Sequence, residues 1–130
     1  MPAGTLTDVV LRLRAAQEAD DREAMRALTD DEVVLHVPGQ HLTAGDYRGL
    51  DGLVGFAEAS RAIGATVESE VLDVLEGQDH VAVYCHIRGR RPDRAALENL
   101  TLHLYRLAGG RVAEIWFHNR DQSAVDGFWS

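Results

Sequence analysis

The stretch His103-Leu104-Tyr105-Arg106-Leu107-Ala108-Gly109-Gly110-Arg111-Val112-Ala113-Glu114-Ile115-Trp116-Phe117 decides the fold, because two runs of large apolar side chains meet at a glycine pair. Both glycines can take positive φ without strain, so they form a tight hairpin turn. The alternation on either side extends the strands to about Ala95–Leu107 and Arg111–Asp121. With Gly109 and Gly110 as the turn, ladder pairing sets Leu104 opposite Ile115, Leu102 opposite Phe117, Leu100 opposite Asn119 and Glu98 opposite Asp121. One face is then greasy with polar groups at one end. The other carries Asn99, Thr101, His103, Tyr105, Glu114, Trp116, His118 and Arg120. The expectation is that the Leu/Ile/Phe face points inward, and that the face with Trp116 and two histidines meets a partner subunit. A β-bulge in either strand would exchange part of this assignment.

Working upstream, Val67–Leu75 and His80–Ile87 alternate as two more strands, separated by the turn-rich Glu76-Gly77-Gln78-Asp79. Val33 to Val37 read as a first strand, stopped by Pro38 and Gly39. The N-terminal part has helical spacing instead. Thr5 and Asp8 form a capping box ahead of Leu6, Val9, Val10, Leu13 and Ala16, giving a helix that ends near Ala19. Asp20 and Glu23 repeat the signature before a short second helix through Leu28. Leu50, Leu53, Val54, Ala57 and Ile63 suggest a third helix after a loop from Gln40 to Tyr47; its Gly52 and Gly55 cost helix stability but permit close packing. Helices first and antiparallel strands afterwards predict one α+β domain over residues 1–130, a curved antiparallel sheet forming a cone with the N-terminal helices on its concave face.

At 130 residues the chain can bury a real core without disulfides. Its single cysteine, Cys85, lies in an apolar run and reads as an inert buried thiol. The net charge of −8 opposes nucleic-acid binding; the cluster Arg88, Arg90, Arg91 and Arg94 is broken by Gly89 and Pro92 and reads as a solvated loop between strands. No apolar run approaches a membrane span, and Met1 to Leu6 lacks the basic start of a signal peptide, so a soluble cytoplasmic protein is expected. No phosphate-binding glycine loop follows a strand, and His86 and His103 fall too far apart along the ladder to share a metal, so neither a cofactor nor a metal is expected.

Candidate chemistry rests on a few side chains at the expected pocket. Imidazoles suit proton transfer near neutral pH, which singles out His103 and His36, each with packing as its bland alternative. Tyr47 precedes the third helix, where its phenol could hydrogen-bond a carbonyl or epoxide oxygen; a structural tyrosine is the alternative. Asp121, paired with Glu98, is the one carboxylate pair that the hairpin geometry suggests, against a plain turn cap. Phe56, Leu102, Leu104, Phe117 and Asn119 would shape the cavity, and Trp116 joins them as a ligand candidate if its face points inward.

Five segments resemble one known family. They are Leu35-His36-Val37-Pro38-Gly39, Gly45-Asp46-Tyr47-Arg48-Gly49, His103-Leu104-Tyr105-Arg106-Leu107, Gly110-Arg111-Val112-Ala113-Glu114-Ile115-Trp116 and the ending from Asp121 to Trp129. In order and spacing the chain is similar to the SnoaL-like proteins of the nuclear-transport-factor-2-like superfamily, which also holds ketosteroid isomerases and limonene-epoxide-type hydrolases. The resemblance implies the cone-shaped fold and matches His103 to a histidine near the acid/base of the cyclases. It departs at the acid/base itself: the cyclases look as though they carry Glu-His-Trp-Asp where this chain has Glu114-Ile115-Trp116-Phe117, and position 102, where the isomerases look to have an Asp, is Leu.

The expected function is a cofactor-independent isomerase or cyclase acting on a small apolar or polyketide-like molecule. Asp121 or His103 would move the proton while Tyr47 and His36 hold the oxyanion. The alternatives are an epoxide hydrolase or epoxide-opening cyclase, and a non-catalytic ligand-binding or scaffold domain, in each case as a homodimer through the outer sheet face.

Overall fold

The computed structural model describes residues 5–130; the stretch Met1 to Gly4, part of the segment read for a leader, lies outside them. The expected helices form as α1 (Leu6–Glu18), α2 (Arg22–Leu28) and α3 (Gly49–Ala62), and a short α4 (Gln122–Phe128) closes the chain. Thr5 caps α1 with the reciprocal bond from Asp8, as its spacing predicts. The strands are β1 (Thr29–Val37), β2 (Gly45–Arg48), β3 (Thr66–Glu76), β4 (His80–Arg90), β5 (Leu97–Ala108) and β6 (Arg111–Asn119).

The six strands form one sheet in the order β2-β1-β6-β5-β4-β3. The α+β layout is as expected, but the sheet is mixed rather than purely antiparallel, because β1 pairs with β6 in parallel. The chain leaves the β1–β2 edge through α3, starts β3 at the opposite edge, and meanders back by hairpins until β6 lies beside β1.

The register of the last hairpin differs from the simple two-residue expectation. Ala108 pairs with Arg111 and Leu107 with Val112, but beyond Ala113 the pairing slips, so Arg106 meets Glu114, Tyr105 meets Ile115 and His103 meets Phe117. Ala113 is the extra residue of a β-bulge. A slip of one residue turns every later pair over relative to its partner strand. Ile115, Phe117 and Asn119 therefore share the helix-covered face with Tyr105, His103 and Thr101. Leu100, Leu102 and Leu104 lie on the outer face with Trp116 and His118. The Leu102 and Leu104 wall expected for the pocket is thus corrected, and so is Trp116 as a ligand contact.

Two apolar clusters hold the covered face. The larger joins Val10 and Leu13 of α1 to Leu35, Val81, Val83, Tyr105 and Ile115 of the sheet, with Phe56 and Phe117 against it. The smaller is Leu97 with Val125 and Phe128 of α4. Gly89 makes that second cluster possible, since a Cβ there would meet the Phe128 ring at 2.9 Å.

Candidate functional site

Between the two clusters runs a polar stripe: His103, Cys85, Thr101, Asn119 and Asn99. Strand pairing explains the grouping, because Val83, Cys85 and Ile87 on β4 face His103, Thr101 and Asn99 on β5, which in turn face Phe117 and Asn119 on β6. The stripe is ordered by directed hydrogen bonds. The Thr101 hydroxyl donates to Asn119 Oδ1 at 3.1 Å, and Asn119 Nδ2 donates to Gln122 Oε1 at 3.0 Å. Asn99 accepts from the Asp121 N–H at 3.2 Å, while its Nδ2 is buried with no partner among the described residues. An unpaired buried donor is costly unless water or a ligand answers it.

His103 is the centre of the stripe. Its ring packs on Phe117 at a tilt of 33° with centroids 4.2 Å apart, and Arg14 Nη1 lies 2.9 Å from its Nδ1. Arg14 comes from α1 and also donates to the Tyr105 hydroxyl at 3.0 Å and to Ser69 Oγ at 3.0 Å. A guanidinium has only donors, so Nδ1 must accept and the imidazole proton sits on Nε2. Burial first, and the nearby Arg14 charge second, lower the His103 pKa from 6.5 to about 3. His103 is therefore a neutral imidazole at physiological pH. No group among the described residues accepts from Nε2, which leaves that N–H as an available donor.

Apolar side chains stay accessible on β3 and α1. Val67 and Val71 of β3 share the covered face, opposite Gly89 and Cys85, yet are 46% and 44% exposed. Leu11, 40% exposed, lies on α1 between Thr7, which bonds Glu76, and Arg14, which bonds Ser69. Phe56 of α3 packs against the core, 6.0 Å from Phe117 and 5.2 Å from Tyr47 by ring centroid.

The remaining sequence candidates are placed elsewhere. His36 lies on the outer face, its Nδ1 2.8 Å from Asp46 and its Nε2 2.6 Å from Glu114, stacked on Trp116. Tyr47 spends its hydroxyl on the Thr43 carbonyl at 2.7 Å. Asp121 caps α4 by accepting from the Ala124 N–H at 3.0 Å. It does line a notch of about 430 Å³ with Glu98, His86, Asn99, Leu100 and Arg120 at the end of β6, away from His103. Of the candidates, the structure brings His103 against Phe117, Phe117 against Phe56 and Phe56 against the Tyr47 ring, with Asn119 on the same face. It adds Arg14, which sequence reasoning missed. The signal was present: Leu6, Val10, Leu13 and Gln17 mark the inner stripe of α1, and Arg14 falls within it.

Among the described residues no cluster of three or more histidine, cysteine, aspartate or glutamate side chains could hold a metal, and no helix is long and apolar enough to cross a membrane.

The comparisons bear on the family and the fold. The family model for the SnoaL-like domain matches residues 10–115. The uncharacterised protein Rv0034 of Mycobacterium tuberculosis is 30% identical over 126 residues, covering 95% of both chains. Bal32a, from a soil-derived mobile gene cassette, superposes with a TM-score of 0.86 at 25% identity, over 96% of each chain. TerC, co-crystallised with polyporic acid, gives 0.80 at 15% identity over 92% of this chain and 94% of its own. IdmH of Streptomyces antibioticus, a candidate polyketide cyclase, gives 0.70 at 23% identity over 96% of each. Helices on one face of the mixed sheet, the motifs in order and the match over most of the chain lead to one assignment: the protein belongs to the SnoaL-like domain family, on a nuclear-transport-factor-2-like fold.

Proposed function

We propose that the covered face binds a small, largely apolar molecule through an oxygen acceptor, and that His103 acts there as a neutral electrophile in isomerase- or cyclase-type chemistry. The observation that carries this is the Arg14–His103 bond, which leaves the His103 proton on Nε2, where no acceptor meets it among the described residues. A fixed donor in a poorly solvated site stabilises charge developing on a carbonyl oxygen without reorganising. Imidazole kept neutral by its surroundings can polarise a carbonyl, whereas a proton carrier would need a pKa near 7. His103 thus takes the role of oxyanion donor rather than the proton-moving role expected of it. Phe117, Phe56, Val71 and Leu11 give the ligand its apolar surroundings. Co-crystallisation of TerC with polyporic acid, an oxygen-bearing small molecule, supports the ligand class.

A non-catalytic binder is the second reading. It is favoured by Phe117 standing where the family's carboxylate would be, and by the absence of any carboxylate partner to His103 among the described residues. An epoxide-opening reading loses its acid, because the Tyr47 hydroxyl is already committed to Thr43. Homodimerisation through the outer face remains our proposal. Leu100, Leu102, Leu104 and Trp116 line its centre, half-buried in the single chain, and Leu102→Glu should shift a dimer to monomer in sedimentation. A free buried Cys85 suits a reducing, cytoplasmic location.

The test is imidazole ¹⁵N NMR with a hydroxyquinone and a cyclic enone as probes. Binding should move the His103 Nε2 resonance, and His103→Phe should weaken binding by roughly tenfold, the worth of one good hydrogen bond. Turnover of the enone separates enzyme from binder. Unmoved His103 resonances with both probes would sink the proposal.

A further inference from the structure

A second groove lies at the other end of the sheet. About 640 Å³ in volume, it is bounded by the β4–β5 loop on one side and α4 on the other. Its floor is apolar: Ala95, Ala96, Leu97, Ala124 and Phe128. Its rim is basic, with Arg88, Arg90 and Arg94 against one acid, Glu98. On a chain with net charge −8 this is a concentrated reversal of sign.

The groove is held in shape from within. Arg91, whose side chain is only 8% exposed, donates to the Phe128 carbonyl at 2.8 Å and the Ser130 carbonyl at 3.2 Å, and its Nε and Nη2 grip Asp93. Arg94 adds bonds to the Ser130 carbonyl at 3.1 Å and its hydroxyl at 3.3 Å. Loop and helix are thus fixed to each other, which removes the ordering cost of closing two walls on a ligand. The two arginines that do the fastening are not the ones left over. Arg90 has no hydrogen-bond or ion-pair partner among the described residues, and Arg88 has only Glu98 at 3.7 Å.

We infer that this groove is a second ligand site, separate from the His103 stripe, for a small amphipathic carboxylate: the tail on the Ala96–Leu97–Phe128 floor and the carboxylate on Arg90 and Arg88. The volume is that of a small-molecule site, and a planar guanidinium recognises a carboxylate through two parallel N–H donors. An uncharged ligand would leave Arg90 unanswered. A bare anion would leave the floor uncovered.

The experiment is a ¹H–¹⁵N NMR titration of the full chain with octanoate, octanol and inorganic phosphate. Octanoate should shift the amides of Gly89, Leu97, Ala124 and Gly127 saturably, with octanol and phosphate each at least tenfold weaker. Arg90→Gln should reduce octanoate affinity by roughly tenfold or more while leaving octanol unchanged, as loss of a charge-assisted pair requires. Ala96→Trp, at an exposed position, should fill the floor and abolish saturation. Shifts confined to His103 and Phe117, equal affinity for octanol, or an indifferent Arg90→Gln variant would each overturn the inference. The His103 test uses other probes and reads another nitrogen, so the two proposals fail separately.

Discussion

Arg14 Nη1 stands 2.9 Å from His103 Nδ1, so a permanent cation donates to the imidazole and fixes its proton on the opposite nitrogen. This reverses the usual arrangement, in which a carboxylate behind the ring raises its basicity. Below pH 6.5 an unfolded chain protonates this histidine, while the folded chain resists until about pH 3. The unfolded state then binds more protons, so the stability present above 6.5 is lost as pH falls through that window. His103→Gln should flatten the wild-type decline in urea midpoint between pH 6.5 and 3. Arg14→Met should let His103 titrate at higher pH by NMR. A wild-type His103 that titrates near 6.5 would contradict the assignment.

His36 has the opposite linkage. Burial alone would lower its pKa, but the hydrogen bonds to Glu114 and Asp46 outweigh it and leave it raised above 6.5. Its stabilising contribution is complete below the unfolded value and is lost as pH rises through the folded one. His36→Gln should therefore cost more stability at pH 6 than at pH 8.5, by roughly 0.5–1 kcal/mol for a partly exposed pair. Urea midpoints at the two pH values provide the check.

Gly52 and Gly55 of α3 should respond to alanine with opposite signs. A Cβ on Gly52 would meet the Tyr47 backbone carbonyl carbon at 2.7 Å, and backbone cannot swing aside; a Cβ on Gly55 meets nothing within 4 Å. Gly55→Ala should stabilise by about 0.5–1 kcal/mol through helix propensity. Gly52→Ala should destabilise by about 1–3 kcal/mol through overpacking, measured by thermal melting.

Phe117→Asp would place a carboxylate beside His103, where the ring centroids now lie 4.2 Å apart. The opposite charge favours imidazolium, so the His103 pKa should rise from about 3. Loss of the packed ring should cost about 3 kcal/mol or more. Should NMR show His103 unmoved in a folded variant, the two side chains do not share the face that the bulge assigns them.

Much of this fold was legible, because the Thr5–Asp8 capping box and the long alternating strands are local signals that tertiary structure did not override; α2 departs slightly, its cap being Asp21 rather than the expected Asp20. The site was less so, for three physical reasons. Val112 and Ala113 are adjacent and both buried, so the alternation reads equally well in two registers, and the bulge that chooses between them leaves no mark. That single slip moved Leu102 and Leu104 to the outer face and brought His103 to the inner one. Arg14 escaped because a cation on a helix is ordinarily assigned to solvent, although its spacing was that of the core. The seven-residue α4 offers only Val125 and Phe128 as buried anchors, so its capping residue Asp121 looked like a free acid.

The parallel pairing of β1 with β6 also sets an order in time. Leu35 finds its partner Ile115 eighty residues later, while β3 to β6 join through hairpins of neighbouring strands. Contacts so distant along the chain close late, after shorter loops have formed. On the ribosome β1 must wait, beside the helices that precede it, until β6 has emerged. The strand that completes the sheet is thus the earliest made, and the interval before β6 arrives is when this protein is most open to misassembly.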